Sequence, residues 1–400
     1  VDPTANETLQ DALIRHQVYL LRFSAYVRNY VFQLLDATEQ DLASKIRDAL
    51  RNSKGFNTPA DVIRMQKLMA SIEKIRGGAW TDASEWLVDQ MKQLAVAEPQ
   101  FAKGIMEQAS PVELGMRLPP DRQLIKIVTS QPMQGAVLSD WADTMAAEDL
   151  RRIQAAVQMG MISGESSDAI ARRVVGTGAL DGADGVTEIT RRQVQAITRT
   201  AVMTVANETR DDFFQENADV MEAEVFVATL DARTTAICRA LDGKRFQPGE
   251  GPRPPLHFSC RSLRVAAFDD QVLGARPAKA ATRKQALNGF IEDNDLQDMG
   301  ITSRDDLPRG MKGQFDAYER KTIQQMTGQV PASTTYQEWL TRQSKGFQDE
   351  ILGKTKGDLF RNGLTLDKYV AANGTELSLS QLAAKYPGAF KEAGLDPAKF

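Results

Sequence analysis

From Asn6 to about Arg51 apolar residues return at helical spacing, with Leu9, Leu13, Leu20, Tyr26, Val27, Val31, Leu34 and Leu35 marking one long helix or a helical hairpin. After the polar loop 52–57, Thr58 is placed to cap a second helix that has Pro59 in its first turn and runs to about Arg76. The pair Gly77-Gly78 predicts its end, and Thr81 or Asp82 then opens a third helix carrying Trp86, Leu87, Met91 and Leu94 on one face. Pro111, Pro119, Pro120 and Pro132 break helices and predict a connector, with a boundary near residue 115.

The helical period resumes over Ser139–Met161 through Leu150, Ile153, Val157 and Met161, with Gly160 marking its end. A turn at 163–166 leads into a short helix, Ser167–Val175. The glycine-rich stretch Gly176–Gly185 reads as a flexible, partly disordered loop. Thr187–Asn217 follows as one long helix whose buried stripe is Val194, Ile197, Ala201, Val205 and Phe213. The period then changes from helical to extended: over Glu222–Leu230, Ala223, Val225, Val227 and Thr229 alternate with Glu224, Phe226 and Ala228, as in a strand.

Residues 231–268 are turn-rich, punctuated by Asp242-Gly243, Pro248-Gly249, Gly251-Pro252 and Pro254-Pro255. A low-complexity linker, Gly274–Lys284, comes next. Helical patches then recur over Gln314–Met326 and Tyr336–Leu352, and over Leu359–Phe390 between small glycine turns. These patterns predict a mostly α fold: elongated multi-helix N-terminal (1–115) and central (116–221) regions, a small α+β turn-rich module (222–268), a linker (269–285) and an extended, partly helical C-terminal arm (286–400).

Composition narrows the class. An apolar fraction of 42% and a charged fraction of 26% are ordinary globular values and exclude wholesale disorder. The 400 residues exceed what one hydrophobic core normally serves, so two or three domains are expected. A net charge of −4 gives no global attraction to nucleic acid, so any such contact has to come from a local patch. No run approaches the roughly 18 apolar residues of a membrane span, and the opening Val1-Asp2-Pro3-Thr4 has no signal-peptide character, which predicts a cytosolic chain with no membrane partner.

One local basic excess exists. Between residues 231 and 264, Arg233, Arg239, Lys244, Arg245, Arg253, Arg261 and Arg264 stand against Asp231, Asp242 and Glu250, seven charges against three. Arg233, Arg239, Lys244, Arg245, Arg261 and Arg264 are therefore candidates for contact with DNA phosphates or an acidic protein surface, beside the plainer reading of a solvated face. The helix arginines Arg191, Arg192, Arg199 and Arg210 carry the same two readings.

Both cysteines of the chain, Cys238 and Cys260, and one of its two histidines, His257, fall in this same module. Thiols and imidazole gathered by tight turns suit a structural zinc, with His257-x-x-Cys260 as a half-site and Asp231, Asp242 or water as the fourth ligand. The alternative is a pair of buried thiols packing as small hydrophobes, with a neutral His257 ordering its turn. Asp231 and Arg233 read as a local ion pair fixing a turn, and His16 as a structural residue without a partner signal.

The pieces Met159–Ser166, Ile197-Thr198-Arg199-Thr200, Asn207, Asp231-Ala232-Arg233-Thr234, Leu241-Asp242-Gly243 and Pro254-Pro255-Leu256-His257-Phe258-Ser259-Cys260-Arg261 occur here in order. Together they resemble the phage Mu F-like head-morphogenesis or minor head proteins, over roughly residues 150 to 268. Tyr336–Leu340, Leu352–Lys356 and Leu359–Gly363 look like the tail of related phage head proteins. The resemblance implies a virion protein of a tailed bacteriophage, assembled in the host cytoplasm and carried inside the capsid or at the portal vertex. Its implied partners are the portal protein, the major capsid protein or scaffold, and packaged double-stranded DNA, with roles in head assembly, packaging or ejection. Many relatives carry Cys-x-x-Cys where this chain has Thr235-Ala236-Ile237-Cys238, and Cys-x-Cys where it has Cys260-Arg261-Ser262, so a metal here has fewer thiolates.

No P-loop, His-Glu-x-x-His or Gly-x-Ser-x-Gly occurs, and no enzyme is expected. Two further readings stay beside the assembly factor: an internal DNA-contacting protein ejected with the genome, and a metal-dependent hydrolase.

Overall fold

The computed structural model describes residues 5–51, 58–110, 114–180, 182–267, 275–279, 283–294, 296–308, 310–325, 327–331 and 333–400. Seven helices come first: α1 (Ala5–Asp36), α2 (Glu39–Leu50), α3 (Pro59–Ala109), α4 (Asp121–Ser130), α5 (Leu138–Ile162), α6 (Ser167–Val175) and α7 (Thr187–Glu216). The fold is mostly α with small sheets, as the patterning predicts. Thr58 caps α3 in a reciprocal box with Asp61, with Pro59 in the first turn.

Gly77-Gly78 does not end a helix: α3 runs through both glycines and through Pro99 as 51 continuous residues. Each glycine costs about 1 kcal/mol relative to alanine. The stripe Ile72, Arg76, Trp80 and Ala83 is buried on both sides of the pair, and that packing offsets the local penalty. Gly160 likewise lies within α5. A Cβ there would sit 2.6 Å from Ile170 Cγ1, so the glycine is what lets α6 pack closely.

The helices on either side of residue 115 share one core. Leu20, Val27 and Val31 of α1, Leu87, Met91 and Leu94 of α3, and Val194, Ile197 and Ala201 of α7 pack in a single cluster. A buried polar knot crosses it. Arg76 Nε pairs with Asp149 Oδ2 at 2.6 Å, Trp80 Nε1 donates to the same oxygen at 2.9 Å, and Thr190 Oγ1 donates to Asp149 Oδ1 at 2.5 Å. A second cluster packs α2, α5 and α6 on the first turns of α3. The Gly176–Gly185 loop is held rather than loose over its described residues: Thr177 N donates to Asp184 Oδ1 at 2.8 Å, and Gly176 packs directly on the Gly182 backbone.

The α+β module contains β1 (Ala223–Val227), β2 (Leu230–Asp231), α8 (Ala236–Leu241), β3 (Arg245–Phe246) and β4 (Leu263–Ala267). β1 is the centre of an antiparallel sheet ordered β3-β1-β4, with Val225 opposite both Arg245 and Val265. Val225, Val227, Leu263 and Val265 pack on Ala102, Ile105, Phe213 and Phe214, which seats the sheet on α3 and α7.

The linker expected over 269–285 holds a strand, β5 (Ala275–Lys279), which pairs in parallel with β2 and antiparallel with β6 (Thr327–Pro331). Between these strands lie α9 (Arg283–Asp293) and α10 (Lys312–Gln325). Beyond them come α11 (Tyr336–Thr341), α12 (Lys345–Leu352), α13 (Lys354–Arg361), α14 (Leu379–Lys385) and α15 (Pro387–Glu392). These last helices are not an extended arm. Tyr336, Trp339, Phe347, Leu359, Leu382 and Phe390 close a core that also takes in Leu230 of the module. Helices of six to eight residues are too short for their periodicity to advertise that core.

Candidate functional site

The module gathers its chemistry between β2 and β4. Asp231, at the end of β2, begins a turn in which its Oδ1 accepts from Arg233 N at 3.0 Å. α8 then presents Cys238 inward. Asp242 follows and binds two backbone donors at 2.6 Å each, Ala228 N and Tyr336 N, tying the module to α11. The chain returns through the His257–Cys260 turn, in which Cys260 N donates to His257 O at 3.1 Å. Ser259 takes a left-handed conformation (φ 57°) that non-glycine residues seldom adopt, and its N–H donates to Thr200 Oγ1 on α7 at 3.1 Å. That link turns His257 and Cys260 toward α8.

The three predicted ligands meet. Cys238 Sγ lies 3.8 Å from Cys260 Sγ and 3.4 Å from His257 Nε2. All three donor atoms fall within 4.8 Å of one another. Tetrahedral zinc, with bonds of about 2.3 Å to sulfur and about 2.0 Å to nitrogen, places two sulfurs about 3.8 Å apart and sulfur and nitrogen about 3.5 Å apart. The residues present therefore fit three corners of a zinc tetrahedron. His257 Nδ1 donates to Phe258 O at 2.9 Å, which leaves Nε2 with its lone pair toward the thiols, as a second-shell carbonyl does for a ligating histidine. Thr235 Oγ1 is 2.9 Å from the same Nε2.

The electrostatics favour one thiolate. A hydrogen bond from Cys238 pulls Cys260 down against the opposing effect of burial, and His257 adds to the same effect. Cys238 moves up, through that same hydrogen bond and its own burial, and His257 is raised chiefly by its bond to Cys260. The cysteines are 2% and 1% exposed and unpaired as a disulfide.

The carboxylates named as a fourth ligand are committed elsewhere. Asp231 receives the fork of Arg261, Nη1 to Oδ2 at 2.6 Å and Nη2 to Oδ1 at 2.8 Å. Burial alone would raise its pKa, but Arg261 holds it below the ordinary carboxylate value. Asp242 is spent on its two backbone donors. Neither reaches the triangle, which leaves water or the Thr235 hydroxyl for a fourth corner.

Most of the arginines expected to face a partner are structural. Arg264 is 1% exposed, pairs with Glu224 through Nε at 3.1 Å, donates to Pro252 O and Glu250 O, and stacks on Phe246. Arg253 bridges Asp211 at 2.5 Å and Glu224 at 3.2 Å. Arg239 is buried against the Tyr336 ring and donates to Ile351 O. Arg261 is locked on Asp231, and Arg245 is half-buried beside Glu222. Arg233 and Lys244 remain exposed. Elsewhere, His16 has a partner the sequence did not signal: it contacts buried Glu98, which also binds Arg210 at 2.8 Å.

Residues 151–264 match the family model described as Phage Mu protein F like protein, the span that includes α6, α7, β1 and the whole thiol–imidazole cluster. Neither the curated proteins nor the solved structures give a match to the chain. Among the described residues, no helix is long and apolar enough to cross a membrane. Over residues 151–264 the chain is thus similar to the phage Mu protein F-like family, a likeness that points to a bacteriophage head-related protein.

Proposed function

We propose that the chain is a minor head protein of a tailed bacteriophage that binds the portal or capsid and assists head assembly and DNA packaging or retention, by binding rather than by catalysis. The observation that carries this reading is the family match over residues 151–264. Two features support it. The cluster of Cys238, His257 and Cys260 is enclosed and ties loops together, which suits a structural role for a bound metal better than an open catalytic one. On the helical side, Tyr19 and Tyr26 are 54% and 55% exposed and begin a row of rings that ends with Tyr30 stacked on Trp86 at 4.0 Å. Large aromatic side chains in solvent suit a protein-contact face, here for the portal or capsid subunit.

Within this reading zinc is the ion that the triangle would hold, adding stability to the module by fastening α8 to the 257–260 turn. Co-expression with the portal protein, nuclease treatment and affinity purification test the assembly role, with zinc measured in the same sample. Portal recovered after nuclease treatment, with zinc near one per chain that falls on Cys260→Ser, is the expected result. Recovery on nucleic acid alone, without portal or capsid protein, would overturn the assembly reading, and metal-free protein would overturn zinc.

A further inference from the structure

Helix α7 carries four arginines whose surroundings differ. Arg191 pairs with Asp36 at 2.8 Å, Arg192 with Glu188 at 3.3 Å and Arg210 with Glu98 at 2.8 Å. Arg199 has no ion pair or hydrogen bond among the described residues, and its Nε is shut off from water without an acceptor. A half-buried guanidinium without an acceptor is costly to hold, so its retention here calls for an explanation.

Its neighbours are cations. Thr200, the next residue, accepts from Ser259 N at 3.1 Å, which brings this turn of α7 against the segment leading to Arg261. Arg261 and Arg233 converge on one carboxylate, Asp231, at 2.6 and 3.7 Å. Asp231 is saturated by the Arg261 fork, so Arg233, whose side chain is 75% exposed, is only loosely held. Among the described residues, the Arg28 side chain of α1 donates to the neutral Asn29 amide oxygen and lies over Phe32. Burial lowers the Arg199 pKa, and the like charges of Arg233, Arg261 and Arg28 add to the fall. Arg199 thus lies on the turn of α7 that is tied to the 259–261 segment, where Arg261 and Arg233 already share one carboxylate.

We propose that Arg199 and Arg233, beside the Asp231-bound Arg261, form a receptor for a phosphate group, with Arg199 as the buried donor and Arg233 as the exposed outer one. Planar guanidinium forks match tetrahedral oxyanions with paired hydrogen bonds, and a phosphate would neutralise the excess that Asp231 leaves. The same chemistry is offered by a nucleic-acid backbone and by free inorganic phosphate. This inference stands apart from portal binding and from zinc, since none of these arginines is a ligand of the thiol–imidazole triangle.

The test uses the full chain with two probes, inorganic phosphate and a short double-stranded DNA of arbitrary sequence, on wild type, Arg199→Gln and Arg233→Gln. Without anion, R199Q is expected to melt at or above the wild-type temperature, because the charge it removes has no partner. A residue needed only for packing would melt lower on substitution. Phosphate should raise the melting temperature of wild type and leave R199Q unmoved. In DNA titrations R199Q and R233Q should each weaken binding several-fold and reduce the salt slope by about 1. Phosphate protection lost in R199Q with DNA binding unchanged would assign the site to the free ion, and the converse to the backbone. If neither probe is affected by either substitution, or R199Q melts well below wild type and still binds both, the proposal is wrong.

Discussion

The helical layer and the α+β module are held together by different means. In the helical layer, long stripes such as Leu87, Met91 and Leu94 against Val194, Ile197 and Ala201 make the main seam, crossed by two buried polar links, Arg76–Asp149 and Arg210–Glu98. Around the thiols the module's apolar cluster is small, Phe226, Ala228, Cys238 and Cys260 with four partly buried neighbours. Order there comes from carboxylates spent on specific donors: Asp231 on Arg261, Asp242 on two amides, Glu224 on Arg253 and Arg264. Apolar burial tolerates small shifts of position. Buried ion pairs fix loop geometry, because a displaced partner leaves a desolvated charge. A loop-built site needs the second kind of support.

The comparison is broken most sharply at Arg264. Arg264→Ala leaves buried Glu224 with Arg253 as its remaining cation and should cost up to about 3–5 kcal/mol, comparable with Leu87→Ala in the helical layer at about 2–5 kcal/mol, measured by urea unfolding. Replacing both members, Arg264→Met with Glu224→Leu, should recover most of the loss, which Leu87→Ala paired with any second truncation will not.

Asp242→Ala comes next. It deletes two charge-assisted bonds and should cost about 3 kcal/mol, with limited proteolysis releasing the C-terminal core before the helical layer.

A pH titration of stability sharpens the same contrast. Burial pushes Asp211 up to about 7, with Arg253 opposing and Glu224 and Glu208 adding to the rise. Between about pH 4 and about pH 7 the folded chain holds a proton that the unfolded chain has released. This group's contribution to stability therefore falls as pH rises through that window, by at most about 1.4 kcal/mol per unit. Asp211→Asn should flatten that slope.

The smallest effect is expected at Ser259, whose left-handed backbone costs roughly 1 kcal/mol. Ser259→Gly should raise the melting temperature slightly, and Ser259→Val should lower it.

Much of this was legible along the chain. The stripes of α5 and α7, the β1 alternation and the convergence of Cys238, His257 and Cys260 all follow from local spacing. Other features depend on partners distant in sequence. Counting charge over 231–264 left out Glu224 and Asp211, which lie just outside that window and neutralise Arg253 and Arg264. Gly160 signals a helix end by propensity, yet its reason is Ile170 across an interface. The Leu241-Asp242-Gly243 turn was visible, but not that Asp242 would cap Tyr336, 94 residues on.

The 51-residue helix α3 is about 75 Å long at about 1.5 Å per residue. Met65, Leu68 and Ile72 anchor its first turns among α2, α5 and α6, while Ala102, Ile105 and Met106 anchor its last turns beneath the sheet. A helix clamped at both ends behaves as a push-rod. Gly77-Gly78 and Pro99 are the points along its length where such a rod would bend first, so a displacement at the α2–α6 end is either taken up there or passed on toward the sheet.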